Sequence, residues 1–132
     1  MVVRVVRGWK MRTPEALFDE FAAAMQFPDY FGENWAALDE CLADLSWLPA
    51  HAYAIVIARA SEVLIEEEWA GIPILRNVIV KVAETWARPV AVGEPWDRPA
   101  VPFHVILQAG REEGSALRRA WREELKGFAD QH

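Results

Sequence analysis

Three short apolar runs limit the folds open to this chain more than any other feature. Residues 2–6 (VVRVV), 53–57 (YAIVI) and 103–107 (FHVIL) are rich in β-branched and aromatic side chains. The middle run is apolar without alternation, which marks a buried strand of a parallel sheet more than an open antiparallel one. Helical patterning fills the gaps between the runs, so each strand reaches the next through a crossover. The simplest solution is an α/β fold: a three-stranded parallel sheet of buried strands packed against helices, in one domain spanning residues 1–132.

The helices have readable ends. Thr13 is placed to cap a first helix with Pro14 at its first position. Leu17, Phe18, Phe21, Ala24 and Met25 then recur at spacings of three and four, up to a stop near Gln26 ahead of Pro28. Residues 28–32 (PDYFG) form a turn, in which Gly32 is expected to take a backbone conformation costly for other residues. Asn34 caps a second helix. Trp35, Leu38, Leu42 and Leu45 share its inner face with Cys41 beside them, while Ala36, Glu40, Ala43 and Asp44 face outward and Asp39 lies near the boundary.

Further along, residues 61–68 are expected to form a short helix capped by Ser61. Gly71, Ile72 and Pro73 restart the chain. Ile74, Leu75, Val78, Ile79, Val82, Ala83 and Trp86 define a long helix by spacing, although their β-branching favours a strand. Residues 89–102 read as a proline-rich loop holding Trp96, with a brief strand at 90–92. Residues 115–128 complete the chain as an extra C-terminal helix with a stripe of Leu117, Trp121, Leu125 and Phe128.

Charge is unevenly spread. The net charge is −6, and residues 13–58 carry eight Asp or Glu and no Lys or Arg. Such a segment repels nucleic acid and steers a basic partner toward itself. Arg4, Arg7, Lys10 and Arg12 precede it, but they are scattered in and after a strand and do not outweigh the acids. Over half the residues are hydrophobic and seven are Trp, enough for a true core.

Catalytic and ligand motifs were sought among the same residues. Cys41 is the single cysteine, so no internal disulfide can form, and its apolar neighbours predict a buried, inert thiol. His51, His104 and His132 have no Cys or carboxylate at metal-ligand spacing, and the acids match no calcium loop. The glycines are scattered and build no phosphate loop. No catalytic, cofactor or metal residue is therefore assigned. No stretch is long enough to span a membrane, and a cytoplasmic monomer is expected. Tyr30, Phe31, Trp35 and Trp47 surround the acidic helix. Trp35 is expected in the core, whereas Tyr30 fits core and interface equally well.

Residues 28–38 (PDYFGENWAAL), followed by Cys41 and Leu42, resemble the signature of the barstar family, the intracellular inhibitors of barnase-type microbial ribonucleases. The resemblance covers about residues 1–108, and leaves the 89–102 loop and the 111–132 helix as additions to the family core. It implies a barstar-like fold and a non-enzymatic function: the second helix and the turn before it plug the active site of a ribonuclease-type toxin. Carboxylates there stand in for RNA phosphate. The family's principal acid corresponds to Glu40, longer here by a methylene. The helix acid one turn earlier corresponds to Ala36, and the aromatic before the principal acid is Asp39. Tyr30 matches the first turn aromatic, Phe31 a tyrosine without its hydroxyl, and Gly32, Glu33 and Asn34 match directly. Trp47 falls near a further contact aromatic.

The partner-binding residues implied are thus Asp29, Tyr30, Phe31, Gly32, Glu33, Asn34, Ala36, Asp39, Glu40, Ala43, Asp44 and Trp47, facing a basic-surfaced nuclease or other toxin protein. Asp39, Glu40 and Asp44 would supply the carboxylates, with Asp29 and Glu33 at the rim. Two other readings stay open: an interaction or regulatory module with a different target, and an enzyme using the same carboxylates.

Overall fold

The computed structural model describes residues 1–110, 114, 117–119 and 121. Its main elements are β1 (Val2–Arg7), α1 (Pro14–Met25), α2 (Trp35–Asp44), β2 (Tyr53–Ala58), α3 (Ile72–Ala87) and β3 (Phe103–Leu107). The strands form one parallel sheet in the order β1-β2-β3. The register places Val6 beside Ile57 and Ile57 beside Leu107, while Tyr53 lies between Val2 and Phe103.

Side-chain alternation divides the sheet into two unlike faces. Tyr53, Ile55 and Ile57 point into the core and are at most 2% exposed. They pack with Leu17, Phe21, Leu38, Leu42, Leu75, Val82 and Trp86 from the three helices. On the opposite face Val3, Val5 and Ile106 stay 49–53% exposed, with His104 also open to solvent. The expectation of three buried strands therefore holds best for central β2, where four of six residues are buried. β1 and β3 bury one face each, because α1, α2 and α3 pack on a single side of the sheet.

Local chemistry sets the helix limits. Thr13 Oγ1 accepts the Ala16 amide at 3.2 Å, and Pro14 opens α1 where no amide is needed. The α3 segment is helical over sixteen residues, so its spacing overrides its β-branched composition. Residues 61–68 depart from expectation. They contribute to two short 3-10 turns, Ala60–Glu62 and Ile65–Glu67, and Ser61 sits inside the first rather than capping a helix. Left-handed Arg59 and Leu64 precede these turns and reset the chain direction before an α-helix can propagate. The strand expected at 90–92 reduces to one antiparallel bridge between Val90 and Arg98. Of the C-terminal helix, Leu117 and Trp121 are described as helical and buried, whereas Leu125 and Phe128 lie outside the described residues.

Gly8 follows β1 because the backbone of the next strand passes against it. A Cβ there would meet Arg59 O at 2.1 Å and Ala58 O at 2.6 Å. Beside it, Arg7 Nε and Nη2 donate to Glu20 Oε2 and Oε1 at 2.7 and 2.8 Å, and the Arg7 amide donates to Oε2 at 2.8 Å. This ties α1 to the end of β1. The Arg7 side-chain hydrogen bonds, acting against the opposing effect of burial, hold the Glu20 carboxyl below the ordinary 4.5.

A carboxylate whose pKa is lowered on folding contributes stability above its unfolded value and loses that contribution as pH falls through its folded value. Glu20→Gln is therefore expected to lower stability at neutral pH and to flatten the loss of stability below about pH 4.5. Urea unfolding followed from neutral pH to about pH 3 checks both.

Candidate functional site

The turn before α2 is built to aim the helix. Phe31 N donates to Pro28 O at 3.0 Å and closes the turn. Gly32 was expected to carry its unusual backbone angle, but Glu33 does so, at φ 51°, and Gly32 has no positive φ. Gly32 is small for a different reason: a Cβ there would stand 3.3 Å from Asn34 Nδ2, which donates to Gly32 O. Asn34 Oδ1 accepts the Ala37 amide at 2.8 Å and so caps α2.

Aromatic packing fixes the underside. Trp35 meets Phe18 edge-on at 5.0 Å and packs against the core as expected. Phe31 lies 4.8 Å from Phe27 and edge-on to Phe18. Trp47 stands edge-on to Phe27, and its Nε1 donates to Met25 O at 2.9 Å. Phe31 and Trp47 thus serve to hold the surface, and both remain half-buried. Tyr30 resolves to the outside, at 70% exposure.

The other proposed contact residues are brought together on one surface. Asp29, Gly32, Glu33 and Asn34 are exposed on the turn, and Ala36, Glu40 and Asp44 are exposed along α2, with Ala43 half-buried beside them. Tyr30, Phe31, Ala37, Glu40, Cys41 and Asp44 line a shallow groove of about 160 Å³. Within it, desolvation raises the Tyr30 pKa first, and the adjacent Asp44 carboxylate raises it further. The phenol therefore stays protonated beside the Asp44 carboxylate. Burial pushes the Cys41 thiol up, and Asp44 and Glu40 add to that shift, so the thiol is a poor nucleophile.

Asp39 behaves differently from its neighbours. Lys81 Nζ on α3 donates to Asp39 Oδ2 at 2.8 Å, and the aspartate is only 22% exposed. Its charge is already engaged in joining α2 to α3. No basic side chain among the described residues pairs with Glu40, Asp44, Asp29 or Glu33. Lys81 was not identified as a site residue from sequence, since it lies 42 residues from Asp39.

Electrostatics concentrate negative potential at one end of α2. Asp44 is its last residue and Glu40 lies one turn earlier, where the unsatisfied carbonyls already place the negative pole of the helix. No base occupies the last turn. Acids at this end destabilise a helix, and they project a field that favours a cationic ligand. Among the described residues, no group of three or more His, Cys, Asp or Glu is arranged to hold a metal, and no helix is long and apolar enough to cross a membrane.

Asn34→Ala is expected to lower stability by about 1 kcal/mol through loss of the cap. It should also weaken protection of the first α2 amides, read by hydrogen exchange. Unchanged exchange at Ala37 would contradict the capping role.

Comparison with known proteins adds the family. A family model described as Barstar (barnase inhibitor) matches residues 1–108. No curated protein matches the chain.

Proposed function

The chain belongs to the barstar family, and we propose on that premise that it is a cytoplasmic, non-enzymatic immunity protein that blocks the active site of a ribonuclease-type toxin. The observation that carries this reading is the pair of exposed carboxylates, Glu40 and Asp44, one turn apart at the negative end of α2. A nuclease arranges Arg, Lys and His to hold phosphate. Rigid carboxylates with the same charge and acceptor geometry satisfy those groups and exclude the substrate without any reaction.

The neighbouring residues suit the same task. Ala36 and Ala43 keep the helix surface low, so that its acids can enter a concave site. Tyr30 lines the groove with Asp44 and offers an exposed aromatic face to the partner. Asp29 and Glu33 extend the negative rim along the turn. Asp39, held by Lys81, contributes position more than free charge. Glu40 thereby becomes the principal contact and Asp44 the second, in compensation for the missing acid at Ala36.

The α2 groove also bears on the rival reading of a carboxylate enzyme. At about 160 Å³ it falls below the roughly 300–1,000 Å³ of a small-molecule site. Glu40 stands exposed beside it, in a setting better matched to protein contact than to substrate enclosure, while Asp44 also borders a larger cleft of about 670 Å³.

Glu40→Ala is expected to weaken binding to a purified barnase-type ribonuclease at least tenfold, or about 1.4 kcal/mol. Titration calorimetry measures it, and equal affinity for both proteins would remove Glu40 from the interface. Asp44→Asn should separate binding from stability: affinity falls while the protein gains about 0.3–1 kcal/mol from relief of the helix pole. If excess wild-type protein leaves the activity of every such ribonuclease tested unchanged, the inhibitor reading fails.

A further inference from the structure

The 89–102 loop follows α3, and an unusual number of polar groups are committed to holding it in one shape. Val90 and Arg98 exchange backbone hydrogen bonds at 2.8 and 2.9 Å. Asp97 accepts the Val92 and Gly93 amides at 3.0 and 2.8 Å, and Gly93 turns the chain at φ 83°. Arg98 lies with its guanidinium 4.4 Å from the centre of the Trp86 ring. It donates to Thr85 O and Arg88 O, both at 3.0 Å, and to Pro99 O at 3.1 Å, so that it satisfies carbonyls at the end of α3. Four prolines restrict the loop backbone further.

This fixed loop displays two large apolar side chains to solvent. Trp96 and Val92 are each 67% exposed. A tryptophan held outward on a rigid frame loses little conformational freedom on binding and has the composition of an interface anchor. Below it lies a cleft of about 670 Å³ whose walls include Tyr53, Trp86, Trp96 and Arg98 from the sheet, α3 and the loop. Ala43 and Asp44 of α2 form another part of its wall. Asp44 also lines the groove with Tyr30 and Glu40, so the acidic helix face and the cleft meet at one carboxylate.

We propose that the 89–102 loop and this cleft form a second contact region for the same basic partner that α2 binds, receiving a protruding segment that carries an apolar side chain beside a lysine or arginine. This inference rests on the inhibitor reading above. The apolar side chain packs against Trp96 and the exposed Pro95 and Pro99 beside it, with buried Trp86 and Tyr53 behind them. The cation meets Asp44, on a wall where the Asp44 and Asp97 carboxylates outnumber the Arg98 guanidinium. Continuity with the acidic face selects the partner, because Asp44 lines both the groove beside Glu40 and the cleft. The loop would thus set which ribonuclease is recognised, while the helix supplies phosphate mimicry.

The test compares wild-type protein, Trp96→Ala and Trp96→Phe in titrations against a set of purified barnase-type ribonucleases, with urea unfolding and solution mass measured in parallel. Trp96→Ala is expected to lose at least tenfold in affinity with an unchanged unfolding midpoint, and Trp96→Phe to recover most of that loss. Wild-type affinity in Trp96→Ala overturns this inference and leaves the α2 reading intact. So does a wild-type dimer that Trp96→Ala dissociates without any change in ribonuclease affinity, which would assign the cleft to a second copy. Absence of binding by wild-type protein to every ribonuclease overturns both readings together.

Discussion

Trp86 is the contact through which the sheet, the acidic helix and the proline-rich loop share one frame. Its indole donates to Leu42 O at 2.8 Å, and so satisfies a carbonyl at the end of α2 that has no partner within its own helix. Its ring lies 5.1 Å from Tyr53 on the central strand, and Arg98 stacks on it from the loop. Tyr53 extends the linkage by donating its hydroxyl to Leu48 O, just beyond α2. A buried aromatic with one polar handle is well suited to this role, since area and direction come from the same side chain. The orientation of Glu40 and Asp44 is thereby set from beneath, by Trp86 and Tyr53.

The surface above that frame is arranged against its own stability. Glu33 and Leu45 bracket α2 in left-handed backbone, where neither side chain is favoured. The acids lie at the pole of the helix that repels them. Among the described residues Asp39 alone of these acids is ion-paired, to Lys81, and this pair fastens the helix to α3. Local sequence preference and the observed structure part company at this surface.

Much of the architecture was readable from sequence because its causes are local. β-branched runs located the three strands, and Thr13 and Asn34 announced helix starts that the structure confirms by hydrogen bonds to Ala16 and Ala37. Helical periodicity placed Ala36, Glu40 and Asp44 outward and Leu38 and Leu42 inward. What escaped depends on residues far apart. The Asp39–Lys81 pair, the Trp47 bond to Met25 and the Trp86 bond to Leu42 each join segments that no periodicity relates. Gly32 shows a subtler limit: its lack of a side chain relieves crowding against Asn34, while the left-handed angle falls on the next residue. The half-exposed valines of β1 were equally hidden, because an apolar run reads alike whether one face or two are covered.

The sheet register has a consequence for how the molecule assembles. Val2 pairs with Tyr53 and Tyr53 with Phe103, so every rung of the sheet joins residues about fifty apart, and all its pairings are parallel, so none of its strands is joined to the next by a hairpin. Closing a chain segment of that length costs roughly 3.5 kcal/mol in entropy beyond a constant, before any strand contact is gained. Turns of α1 and α2 need only near neighbours and their own caps, and they can form and dissolve many times before the strands meet. The final direction of α2 is therefore a product of the long-range contacts of the sheet.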